Sequence, residues 1–350
     1  MRKQCPLFLL LRLMACTPSG TFGNEPTLTG ALKPTSGPDW TSSGEPSVPQ
    51  AERWGIYRLE IDTQKVELLF SSPTRLSYLR LNHAGDRFVF SQKVGGDANN
   101  QEEIFTLDVD GRNLQRITDN NFWDLYPAWS PDDTRIAFLS QRTDSLSIFV
   151  MNSEGSQMME LFDSASHEAD IDWVEDHLAF TRDSRLWIMR ADGSAVQAIS
   201  NPPRVGEWGA ANLPFGDYDP RISPDGAKVV FERLSGDESP HGNYDLYVID
   251  LETSLENRLT YAGYSQGLAS WSHSGQQLVY IVAAIDQAGL YDIYLMNADG
   301  TGNRNLTPDY FPSQFLCHWA VFSGDDSAVF FIGEWWLEEL ILSTRDLSDG

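Results

Sequence analysis

Gly263-Tyr264-Ser265-Gln266-Gly267 has the Gly-x-Ser-x-Gly spacing in which a strained strand-to-helix turn exposes a nucleophilic serine. The next residues, Leu268-Ala269-Ser270-Trp271, read as the opening of a β-strand. The helix that must position the serine and its oxyanion donors is therefore missing from the pattern, and Ser265 is expected to be a loop serine. His83, His167, His177, His241, His273 and His318 include no pair at the tight spacing of a metal site. Cys5, Cys16 and Cys317 are too few for a disulfide framework and have no CxxC spacing. No motif calls for a cofactor, and an enzyme is not expected.

Carboxylates offer more. Asp and Glu number 50 against 25 Lys and Arg, a net charge of −25, which repels nucleic acid and anionic lipid headgroups. Asp124, Glu168, Asp170, Asp217 and Asp219 each lie just ahead of a large apolar residue that recurs along the chain. If that recurrence closes into a ring, these side chains converge on one mouth of its central channel. They would then attract calcium or the basic side chains of a protein partner. The same position also suits a structural hydrogen bond to a neighbouring repeat. Trp208, Phe215 and Tyr218 fall in or beside the longest connection on that rim, 201–218, and its counterpart carries Phe122, Trp123 and Tyr126. Such rings stack on a sugar, anchor a peptide, or pack onto their own repeat. Loops 91–103 and 232–244 are expected on the opposite face, where 97–102 lacks the glycine and distal glutamate of a calcium loop.

The elements that must position these residues come in copies. Leu81, Trp129, Trp173, Ile222, Trp271 and Phe322 recur at steps of 48, 44, 49, 49 and 51, the period of a propeller blade. A polar turn follows each marker, as in Ser130-Pro131-Asp132-Asp133, and then a β-type run such as Arg135-Ile136-Ala137-Phe138. A third run follows, exemplified by Ile148-Phe149-Val150-Met151. Most third runs end in an Asp-Gly-like turn that leads to a short run ending near Leu-Thr. Each repeat thus has four strands, and the fold is all-β, a six-bladed propeller. Ile56-Tyr57-Arg58-Leu59 and Leu340-Ile341-Leu342-Ser343 are both third-strand copies, one more than six blades require. Strands from both ends are expected to share the closing blade, leaving no open sheet edge. Which end supplies its third strand stays open.

Tyr126-Pro127-Ala128-Trp129-Ser130-Pro131-Asp132-Asp133 through Ile148-Phe149-Val150-Met151-Asn152 resembles the repeat of TolB-type β-propellers, over about residues 51–350. The resemblance implies a ring that acts as a protein-interaction scaffold in the cell envelope. The α/β domain that precedes the propeller in TolB itself finds no counterpart in residues 1–50. A carbohydrate- or peptide-binding receptor, and beyond it a propeller lyase or hydrolase, are the other readings.

Residues 1–15 read as an export signal, with Arg2 and Lys3 ahead of an apolar stretch. Leu13-Met14-Ala15-Cys16 resembles the bacterial lipobox, which makes Cys16 a lipidated N-terminus and the protein an extracytoplasmic lipoprotein. Removing residues 1–15 takes away three positive charges and no negative ones, making the net charge −28. Residues 16–50, rich in Pro, Gly, Ser and Thr, read as a tether between that anchor and the propeller at 51–350. Contact with the membrane is expected through the lipid alone, the molecule as a monomer, and Cys317 as a buried thiol.

Overall fold

The computed structural model describes residues 53–95, 101–207, 214–236, 243–261, 265–284, 290–312 and 315–335. These residues form six four-stranded antiparallel sheets arranged as a ring, and among them there is no helix. Blade one comprises β3 (Leu76–Leu81), β4 (Arg87–Lys93), β5 (Glu102–Asp108) and β6 (Gln115–Arg116). Blade two comprises β7 (Asp124–Trp129), β8 (Arg135–Ser140), β9 (Ser147–Asn152) and β10 (Met159–Phe162). Blade three comprises β11 (Glu168–Val174), β12 (His177–Arg182), β13 (Arg185–Arg190) and β14 (Gln197–Ala198). Blade four comprises β15 (Gly216–Ile222), β16 (Lys228–Gly236), β17 (Asn243–Asp250) and β18 (Glu256–Arg258). Blade five comprises β19 (Ser265–Trp271), β20 (Gln277–Ala284), β21 (Leu290–Asn297) and β22 (Arg304–Asn305). Blade six joins β23 (Phe315–Phe322) and β24 (Ala328–Trp335) to β1 (Trp54–Glu60) and β2 (Val66–Ser72). The inner strands touch in sequence from β3 to β23, and β23 returns to β3.

The core lies between blades. One aromatic at the same place in each second strand, Phe90, Phe138, Phe180, Phe231, Tyr280 and Phe331, is fully buried. Stacked sheets are held together by the apolar area so removed from water, and the large flat rings supply much of it.

Closure resolves the surplus strand. β1 pairs with β24 from Trp54 opposite Glu334 to Glu60 opposite Ala328, so the N-terminal segment supplies both outer strands of blade six. Glu334 reinforces the seam, accepting from Arg53 at 2.6 Å and lying 3.2 Å from Nε2 of His318. The third-strand copy at 340–343 lies outside the described residues.

The repeat signature has a mechanical explanation. In Ser130-Pro131-Asp132-Asp133 the serine hydroxyl donates to Asp132 at 2.6 Å and accepts from the Arg135 N–H at 2.9 Å, closing the turn. Ser223 with Asp225, and Ser323 with Asp325, repeat this. Hydrogen bonds from Ser130 and Thr134 hold the Asp132 carboxyl down at about 2. The second aspartate serves the preceding blade, since Asp133 accepts from the backbone N–H groups of His83 and Ala84, both at 2.9 Å. Asp326 does likewise for His273 and Ser274. At the Leu-Thr ends, the hydroxyls of Thr118, Thr260 and Thr307 accept an N–H from within the third strand, that of Ile104, Leu246 and Ile293, at 2.8 to 2.9 Å. Gly111, at φ +76°, turns its Cα against the Leu69 carbonyl of the neighbouring blade, where a β-carbon would collide.

Candidate functional site

Each inner strand is broken by a β-bulge three residues before its marker. The bulged residues are Tyr78, Tyr126, Asp170, Asp219, Leu268 and Trp319, and all six have φ between +43° and +56°. Non-glycine residues seldom occupy this region, so a sixfold recurrence marks a geometry imposed by the ring. The bulges bring these residues together at the axis. Tyr78 and Tyr126 rings are 3.7 Å apart, and Tyr78 and Trp319 rings 5.2 Å. Arg80 of blade one acts electrostatically on Asp170 and Asp219 of blades three and four.

A belt of polar groups lies along the channel at this level. Tyr78 and Tyr126 pack ring against ring, and Tyr126 acts electrostatically on Asp170. Asp170 accepts the backbone N–H of Asp219 at 3.2 Å, and Asp219 accepts from Arg221 at 2.6 Å. Glu232 of β16 joins the belt through the backbone N–H of Leu268. Burial raises the Asp170 carboxyl. It lifts Asp219 well above the usual carboxylate range, aided by the charges of Asp170 and Glu232. Glu232 rises to about 8, through burial and then the charge of Asp170. Oδ2 of Asp219 and Oε1 of Gln266 are buried without a hydrogen-bond partner.

Of the five carboxylates singled out by sequence, only Asp170 and Asp219 are in this belt. Asp124, Glu168 and Asp217 lie two residues earlier on their strands and are spent within their own blades. Asp124 accepts from Ser140 at 2.6 Å, Arg142 at 2.7 Å and Asn120 at 2.7 Å. Asp217 takes a two-pronged contact from Arg233 at 2.5 and 2.9 Å. Burial still lifts Asp217 above its ordinary value against that attraction. Glu168 accepts from Ser164, and its burial pushes it up to about 7. All five are at most 4% exposed, so they do not form an open acidic mouth. Glu232, Arg80 and Arg221 escaped the sequence reading, and so did the bulge, since Tyr78, Leu268 and Trp319 share no residue type with Asp170 and Asp219.

The aromatics need a similar correction. Phe215 is fully buried beneath the Arg204 guanidinium, 3.5 Å from its centroid. Tyr218 is 3% exposed, its hydroxyl donating to the Pro214 carbonyl at 2.7 Å and lying 2.8 Å from the Ser184 hydroxyl. Both pack inside blade four because the strand begins at Gly216, earlier than the loop reading allowed. Trp123 is half-buried against the core, leaving Phe122, 44% exposed, as the open ring among the described members of this set. Trp208 lies outside the described residues. Lys93 donates its N–H to the Arg75 carbonyl, and Leu234 pairs with Gly216, so loops 91–103 and 232–244 leave from the channel face and not the opposite one. An antiparallel hairpin returns its second strand to the level where the first began.

Ser265 is the first residue of β19, which continues to Trp271 as strand, so the surroundings of a serine elbow are absent there. Cys317 is buried and free, and burial pushes its thiol well up. Among the described residues no three His, Cys, Asp or Glu side chains are arranged to hold a metal ion.

These features define a six-bladed β-propeller whose axis is lined by six bulged residues, each at most 9% exposed. Known proteins agree on the fold. No family model matches the chain. It is 27% identical over 176 residues to a TolB homolog of Chlorobium luteolum, a match covering 48% of this chain and 36% of that protein. The chain therefore spans about a third of that relative's length. An uncharacterized protein of Agrobacterium fabrum is 22% identical over 260 residues, 70% of this chain and 83% of its own. Among solved structures, a TolB candidate from Agrobacterium tumefaciens superposes with a TM-score of 0.62 at 15% identity, over 82% of this chain and 99% of that one. An oligogalacturonate lyase in complex with manganese reaches 0.53 at 12% identity, over 82% and 84%. A TolB and a lyase share this ring, so function must be argued from the site.

Proposed function

We propose that this chain is a TolB-like, non-catalytic binding propeller of the cell envelope, exported, anchored by lipid on Cys16, and presenting its channel face to a protein partner. The observation that carries this reading is the burial of the ring of bulged residues at the axis. Tyr78, Tyr126 and Trp319 pack against one another on one side, and Asp170, Asp219 and Arg221 are tied together on the other. A ligand arriving at this face meets the rim, where Phe122 is exposed, and a broad rim suits a macromolecule better than a small substrate. The belt's ionisable groups are bonded to one another and to backbone, a role in rigidity. Similarity to a TolB homolog and the lipobox-like Ala15-Cys16 support the envelope location.

A cross-linking pull-down of the full chain from its native envelope tests the proposal. One discrete, stoichiometric protein partner is expected, with no turnover of polysaccharide or peptide libraries. Turnover without a partner would overturn it in favour of a propeller enzyme.

A further inference from the structure

At the channel-face tip of blade three, two arginines stand directly opposite each other. Arg182 ends β12 and Arg185 begins β13, joined by the tight turn Asp183-Ser184. Like charges so placed repel unless an anion offsets them. Arg185 donates to a neutral group, the Asn201 amide oxygen, at 2.6 Å. Arg182 sits over the Trp187 ring, 3.4 Å from its centroid, and among the described residues its guanidinium has neither a hydrogen bond nor an ion pair. Arg182 is half-buried, and its nitrogens reach solvent.

Blade four shows what is missing. Arg233 holds the same position there, over the Tyr247 ring at 4.6 Å, and binds Asp217 with two prongs and Glu256 at 2.8 Å. Asp245 stands opposite it on the third strand. In blade three the corresponding places are taken by Glu168, Val196 and Arg185. Val196 is apolar, Arg185 reverses the charge, and Glu168 accepts from Ser164 while burial pushes its carboxyl up to about 7. Asp163, whose charge raises Glu168 further, is itself held by the Ser145 hydroxyl and the Ala165 N–H. Blade three thus keeps the guanidinium and its aromatic seat without the carboxylates that occupy them in blade four.

We propose that Arg182, seated on Trp187, binds a carboxylate, the acidic side chain by which the protein partner anchors to the channel face. A planar guanidinium held on a ring meets a carboxylate through two parallel hydrogen bonds, as Arg233 meets Asp217. The same carboxylate offsets the repulsion between Arg182 and Arg185. Its source rests on the partner reading above, whereas the site stands on the geometry of blade three.

The ¹⁵N-labelled full chain is to be titrated with sodium acetate, and with sodium chloride at equal ionic strength, following the Arg182 Nε–H resonance, assigned by its loss in Arg182→Lys. Acetate should shift that resonance saturably, and chloride at least about tenfold more weakly. Val196→Glu restores the blade-four carboxylate and should weaken acetate about tenfold; Arg185→Asp, which puts the charge of Asp245 opposite Arg182, serves if Val196→Glu fails to fold. In cells, the adduct from a photoreactive residue at position 122 should fall about tenfold in the same variant. A resonance that acetate leaves unmoved, an equal response to chloride, or insensitivity to these variants would overturn the site. An undiminished adduct would overturn its use by the partner. No adduct from the parent chain would sink the partner reading, and the acetate titration would then decide the site alone.

Discussion

At the scale of single residues, the carboxylates show where sequence logic holds and where it stops. Period-two alternation puts residues two apart on the same face of a strand, so Asp124 and Tyr126, or Asp217 and Asp219, read as neighbours on one rim. The bulge intervenes, twisting the later residue to the axis and leaving the earlier one in its blade. Asp170 and Asp219 were therefore legible as channel residues, whereas Glu232, on a second strand, carried no repeat signal. Glu232 also gives a pH prediction. Its carboxyl rises from an ordinary 4.5 to about 8 on folding, so its favourable contribution is complete below about 4.5 and is lost as pH rises through about 8. Glu232→Gln should thus melt at least about 2 °C above the parent at pH 8.5, with the two converging near pH 4.5. Thermal melts across that range check this, and a constant gap would contradict it. Calcium gives a second test. The belt lacks a three-ligand arrangement, so calcium and sodium at matched ionic strength should move the melting temperature equally. A calcium-specific rise would place an ion in the channel.

At the scale of elements, turns and strand ends carried the clearest signals because they depend on one or two residue types. Ser-x-Asp closes the turn after the first strand in blades two, four and six, and Thr at the end of the fourth strand replaces a missing backbone acceptor. Thr118→Val should cost about 1–2 kcal/mol in chemical denaturation, because the Ile104 N–H is left unsatisfied in a buried place. Gly111→Ala should cost more than Gly206→Ala by about 1 kcal/mol or greater. Both glycines have positive φ, but only Gly111 faces a carbonyl within collision distance. The closing blade was legible as a shared one, yet not in its composition, because both ends of the chain carry the same third-strand pattern. With β1 and β2 in place, deleting residues 56–70 removes half of blade six and exposes the edge of β24. The truncated protein should lose its cooperative transition or melt far lower, and melting like the full chain would refute closure by the N-terminal strands.

At the scale of the whole molecule, six copies of one motif made the ring readable, since a period near 48 residues with four strands per copy has few other solutions. Partner choice was not readable, because it depends on loops that differ between blades and on an axial ring that exists only when six bulges meet. In the function proposed, the channel face, and not its opposite, meets a protein in the envelope. Site-specific photo-crosslinking in living cells tests it most directly. A photoreactive residue would replace Phe122, 44% exposed on the channel face, or Leu255, 65% exposed in a turn on the opposite face. One discrete protein adduct is expected from position 122 and none from position 255. An adduct from position 255 alone, or none from either, would contradict it.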